Sequence, residues 1–62
     1  MKRYLNTKLY GQTETIDQLD LSDFNSYTDF RKEMKRLKSE YALAGGHGDL
    51  YWSQRCTKSW KG

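Results

Sequence analysis

The sequence predicts a small α+β domain: a three-stranded, mainly antiparallel sheet in β-β-α-β order with one amphipathic helix packed on one face. Three observations predict it. Apolar residues recur at Tyr27, Phe30, Met34, Leu37, Tyr41 and Ala44, the three- and four-residue steps that give a helix one continuous apolar face. Alternating segments lie on either side of that helix, two before it and one after. The chain has 62 residues with no proline, repeat or low-complexity run, so residues 1–62 read as a single domain with one small core.

Residues 3–10 read as the first strand, with Leu5, Thr7 and Leu9 on one face and Tyr4, Asn6, Lys8 and Tyr10 on the other. Gly11-Gln12 supplies the turn, because glycine takes the positive φ a tight hairpin needs. Residues 13–17, rich in Thr and Ile, read as the return strand. Residues 17–23 read either as a loop or as a short turn of helix, with Leu19, Leu21 and Phe24 holding the connection against the core. Ser26 is the expected helix N-cap with Asp29 three residues on, and Asn25 is the alternative cap. The helix should run about 18 residues, roughly 27 Å, and stop at Ala44-Gly45-Gly46-His47-Gly48, where glycine offers a left-handed cap. Residues 49–57 form the third strand candidate, with Leu50, Trp52 and Cys56 opposite Tyr51, Ser53, Arg55 and Thr57. Residues 58–62 form a tail in which Trp60 either folds back or stays exposed. One sheet face, carrying some of Tyr4, Tyr10, Tyr51 and Arg55, is expected to be left open as a binding surface.

Composition narrows the function. Aromatics make up 15% of the chain and must supply much of its core. The single cysteine, Cys56, excludes an intramolecular disulfide framework. The N-terminus is basic but has no apolar run behind it, and no segment approaches membrane-spanning length. The expected setting is therefore the cytoplasm, with no membrane partner.

Catalytic and cofactor motifs are absent from this reading. The glycine-rich stretch follows the helix, whereas a phosphate-cradling loop precedes one. His47, Cys56 and Asp49 fall short of a zinc set, and Asp17, Asp20 and Asp23 lack the glycine and terminal glutamate of a calcium loop. We expect Cys56 to be buried and His47 solvated. No acid, base and nucleophile are paired, so no catalytic residue, metal or cofactor is assigned and the chain is read as a non-enzyme.

Charge is the remaining signal. The formal net charge is +3, but Lys2, Arg3 and Lys8 against Glu14, Asp17, Asp20 and Asp23 leave residues 1–25 at −1. Eight basic against four acidic side chains leave residues 26–62 at +4. On a helical projection Arg31, Lys35 and Lys38 border the apolar face, Lys32 and Arg36 extend the basic sector, and Asp29, Glu33 and Glu40 gather on the other side. Such a stripe is commonly a solvated border to the core, but five basics in eight positions also suit an acidic partner. Residues 51–61 interleave aromatic, hydroxyl and basic side chains, a composition suited to stacked bases with phosphates or to anchoring a protein interface. Arg31, Lys32, Lys35, Arg36, Lys38, Tyr51, Arg55, Lys58 and Trp60 are thus the expected partner-binding residues.

The combination of Thr7-Lys8-Leu9-Tyr10-Gly11, Glu14-Thr15, the charged helix ending in Glu40-Tyr41, and Tyr51-Trp52-Ser53-Gln54-Arg55-Cys56-Thr57-Lys58-Ser59-Trp60 resembles, in style, small accessory proteins of phages and prophages. The resemblance implies a compact binding protein, monomer or homodimer, acting in a host cytoplasm on a host protein or protein–nucleic-acid complex. Inhibition of a nuclease, a polymerase or a nucleic-acid-guided defence system is the leading reading. Direct binding of DNA or RNA through the basic helix and the C-terminal segment is the alternative.

Overall fold

The computed structural model describes residues 1–61 and has the expected β-β-α-β order. Strand β1 (Lys2–Leu9) and strand β2 (Gln12–Asp20) form a hairpin, a single 3-10 turn (Leu21–Asp23) leads to helix α1 (Tyr27–Ala44), and strand β3 (Asp49–Ser53) follows. The sheet order is β2-β1-β3, with β1 central and antiparallel to both neighbours. The helix therefore crosses the sheet from one outer strand to the other.

Several element bounds differ from the sequence reading. The hairpin turn is Tyr10-Gly11 rather than Gly11-Gln12, since Leu9 pairs with Gln12. Both turn residues have positive φ (52° and 78°), the two-residue geometry that follows the right-handed twist of the strands. Strand β2 extends past Asp17 to Asp20, because pairing with Lys2 and Arg3 outweighs the weak local pattern. A register shift between Leu5 and Asn6 leaves Ile16 unpaired: Leu5 faces Asp17, whereas Asn6 faces Thr15. Strand β3 stops at Ser53 rather than continuing to residue 57.

Helix α1 matches its expected bounds and caps. Ser26 Oγ accepts the Asp29 amide at 3.1 Å, Asp29 sits in the first turn where the dipole favours it, and Gly45 closes the helix at φ 76°. Its buried stripe is shorter than the spacing suggests. Phe30, Met34, Leu37 and Tyr41 turn inward, whereas Tyr27 and Ala44, at the two ends of the stripe, remain exposed beyond the sheet.

Leu5 and Phe30 are the apolar side chains sealed from solvent among the described residues, each contributing about 1.5–3 kcal/mol by burial. Phe24 meets Phe30 edge-on at 5.6 Å, which holds the β2–α1 connection on the core as expected. Two polar tethers flank this centre. The Trp52 indole donates to the Met34 carbonyl at 3.2 Å, and the Tyr41 hydroxyl donates to Asp17 Oδ2 at 2.8 Å. One binds α1 to β3 and the other binds it to β2.

The hydrogen bond to Asp17 raises the Tyr41 pKa above its ordinary value of 10.0, with desolvation adding to the effect. A raised pKa means stability that is full below the unfolded-state value and is lost as pH rises through the folded one. We expect Tyr41→Phe to cost about 0.5 kcal/mol at neutral pH, since solvent screens this half-exposed site. That difference should vanish when urea unfolding is repeated in alkali above the tyrosine range.

Gly48 joins the loop to β3 in close approach to β1. Its amide donates to Thr7 Oγ1 at 3.0 Å, and a Cβ here would overlap the Lys8 carbonyl. Gly48→Ala must therefore separate the two segments. A loss of about 2–4 kcal/mol is expected from this backbone clash, seen as an earlier midpoint in urea.

Candidate functional site

The largest departure from expectation concerns the second face of the sheet. Alternation places Leu5 and Trp52 toward the helix and Asn6, Thr15, Gln18 and Ser53 on the opposite side. That side is not open. After Ser53 the chain turns back across it: Arg55 lies by Asn6, Thr57 by Thr15 and Trp60 by Gln18. The tail thus passes from β3 over β1 to β2. The part of it at Gly62 lies outside the described residues.

The contact is polar and closely paired. Asn6 Nδ2 donates to Ser53 Oγ at 2.7 Å, and Thr15 Oγ1 donates to Asn6 Oδ1 at 2.6 Å. The Thr15 amide donates to Thr57 Oγ1 at 3.2 Å, and the Thr57 amide returns a bond to Thr15 Oγ1 at 2.9 Å. Asn6 and Thr15 are buried as a result, and no buried side-chain polar atom among the described residues lacks a partner. Trp60 folds back half-buried, its indole donating to Gln18 Oε1 at 3.4 Å. Cys56, expected to be buried, is exposed because the third strand ends before it. His47, expected to be solvated, is half-buried with its ring edge-on to Tyr41 at 5.4 Å.

The nine expected partner-binding residues are consequently split between the two sides of the sheet. Tyr51, Arg55, Lys58 and Trp60 belong to β3 and the tail, where Trp60 is committed to the fold and Tyr51 keeps partial exposure. Arg31, Lys32, Lys35, Arg36 and Lys38 lie along exposed α1 on the other side.

The helix cations are of two kinds. Arg36 is held by carboxylates three residues before and four after it: Glu33 accepts from Nε and Nη2, and Glu40 accepts from Nη1. Hydrogen bonding, first from Glu33 and then from Glu40, pushes the Arg36 pKa further up, and the same bond lowers that of Glu33. Arg31, Lys32, Lys35 and Lys38 share the adjoining sector, and the ion pairs among the described residues involve none of them. With Thr28, the first three line a shallow groove of about 400 Å³. Arg31 also lies over the Tyr27 ring, 6.0 Å from its centroid. Like charges three and four residues apart disfavour a helix by a few tenths of a kcal/mol per pair, a cost that a bound anion would offset.

Among the described residues no helix is long and apolar enough to cross a membrane, and no cluster of His, Cys, Asp and Glu could hold a metal ion. No protein-family model, curated protein or solved structure matches this chain.

Sequence reasoning missed Asn6, Thr15 and Thr57 as the centre of the covered face. Replacing Asn6 with Ala removes the acceptor of the Thr15 hydroxyl and the amide donor to Ser53 Oγ and the Arg55 carbonyl, and leaves a void under the tail. We expect a loss of about 2 kcal/mol in thermal or urea unfolding, accompanied by faster hydrogen exchange at the Thr57 amide.

Proposed function

We propose that this chain is a non-enzymatic binding protein that docks the cationic face of α1 on an acidic surface of a partner protein. It would act by steric occlusion, as a small modulator or inhibitor of a macromolecular complex; the phage-like character of the sequence suits a nuclease, polymerase or nucleic-acid-guided defence complex of a host. The observation that carries this reading is the segregation of charge along α1. Carboxylates occupy Arg36, while Arg31, Lys32, Lys35 and Lys38 present positive charge together and enter none of the ion pairs among the described residues. Desolvating such a sector is favourable only against negative charge.

The arrangement supports a protein partner over nucleic acid. Single-stranded nucleic acid is held by phosphate contacts together with exposed rings on which bases stack. Here Trp60 and Tyr51 stand across the sheet from the helix cations, and Trp60 is packed down. What borders the cations instead is the half-exposed Tyr27 with Arg31 above it, the residue types enriched at protein-interface anchors. The occluded surface would be an acidic one, because a basic nucleic-acid channel would repel this face.

The test is capture of a host partner by the wild-type chain and by Lys35→Glu, alongside anisotropy titrations with single- and double-stranded DNA and RNA at two salt concentrations. The charge reversal should weaken the captured complex at least about tenfold and leave unfolding unchanged, because Lys35 is exposed. Tight nucleic-acid binding whose affinity collapses with salt would overturn the protein-partner reading.

A further inference from the structure

At the end of the molecule away from the N-terminus of α1, the hairpin tip, the 45–48 loop and the tail enclose an open cleft of about 490 Å³. Its lining includes Thr7, Tyr10, Gln12, Glu14, His47 and Ser59. Unlike the groove on α1, it contains no lysine or arginine.

Two walls of this cleft rest on unusual backbone. Tyr10 holds φ 52°, a left-handed conformation that costs a residue with a Cβ roughly 1–2 kcal/mol. Its side chain is 94% exposed, so no burial within the chain offsets that cost. Asn or Gly would fill the same turn position with less strain. Strain kept at an exposed aromatic points to a role outside the fold. The opposite wall is held by the approach of Gly48 to the β1 backbone, by the Gly48–Thr7 hydrogen bond and by the Tyr41 ring against His47. This wall is formed before any ligand arrives.

The chemistry between the walls is that of a neutral, hydroxyl-rich guest. Gln12 offers an amide, His47 an imidazole, and Thr7 and Ser59 hydroxyls; Glu14 is an acceptor whose charge strengthens any bond it receives. The side chains of Tyr10, Gln12 and Glu14 form no hydrogen bond among the described residues, so their polar atoms face the cleft's guest. An anion would meet Glu14 with no cation to offset it. A pyranose ring has both features required: an apolar C–H face for the Tyr10 ring and a rim of hydroxyls that donate and accept. The cleft volume lies within the usual range for small-ligand sites.

We propose that this cleft binds a neutral saccharide of mono- or disaccharide size, stacked on Tyr10 and hydrogen-bonded by Gln12, Glu14 and His47. The site is separate from the cationic face of α1, and Lys35→Glu leaves it intact. The two readings therefore stand or fall independently.

The experiment is an amide-resolved NMR titration of the full chain with glucose, N-acetylglucosamine and cellobiose in turn, with glycerol and arginine amide as comparison ligands. At least one saccharide should give saturable shifts confined to the amides around Thr7, Gln12, Glu14 and His47. Glu14→Gln, which keeps the side-chain shape, should weaken that binding about tenfold. Tyr10→Asn should weaken it at least as much while raising the melting temperature, so loss of binding is not loss of fold. Overturning results are the absence of saturation with all three saccharides, equal binding by Tyr10→Asn, or saturation by arginine amide alone, which would mark a site for cations.

Discussion

The burial of Asn6 at the middle of the central strand is the constraint on which the rest of the arrangement depends. A primary amide in that position needs partners for its carbonyl and its NH2 group, because an unmet buried polar group costs about 1–3 kcal/mol. The chain supplies them from both outer strands and the tail: Thr15 from β2, Ser53 from β3 and the Arg55 carbonyl beyond it. One side chain thereby ties all three strands together and fixes where the tail must lie. A single helix can cover only one face of the sheet, and the polar network lets eight residues of irregular chain cover the other. The two faces have different chemistry: aromatic and aliphatic toward α1, hydroxyl and amide toward the tail.

This division accounts for the surface left to function. With the second sheet face occupied, the aromatics that would have formed a stacking platform are divided between structure and edge. The outward side of α1 is left as the broad charged surface. Its charge distribution is set by where the acids are placed as much as by the bases. Glu33 and Glu40 are spaced to hold Arg36 from both directions along the helix, so negative charge is drawn to one flank and the neighbouring cations enter none of the ion pairs among the described residues. The mouth beside the hairpin differs in kind: it holds a carboxylate, an imidazole and hydroxyls, with no lysine or arginine to attract an anion. A chain of this size thus presents two chemically distinct surfaces without a deep interior.

The fold was legible in the sequence where its signals are local. Helix α1 declared its length and both caps, because Ser26, Asp29 and Gly45 act within one turn of the ends they define. The strands were legible as alternating segments and the charge sectors as helical spacing. The hairpin turn was displaced by one residue because Tyr10, an aromatic, holds a left-handed position ordinarily given to Asn, Asp or Gly. The tail was illegible for a different reason. Thr57 meets Thr15 across 42 positions and Asn6 meets Ser53 across 47, and small polar residues that pair at such separations leave no periodic trace. With the tail read as continuing strand, Cys56 was assigned to a buried face that does not exist there, and the open sheet surface was expected in error.

The strand order also sets which contacts are local and which span the chain. The β1–β2 hairpin closes over two residues and α1 is stabilised within itself, events of microseconds or less. Lys8 and Asp49, by contrast, must meet across the full length of the hairpin and helix before β3 can pair, and non-local pairings of that kind slow folding. Both tryptophans lie in this late-joining part, Trp52 in β3 and Trp60 in the tail. Indole fluorescence in this protein therefore reports on the docking of the last strand and its covering segment, the parts joined by the longest-range contacts.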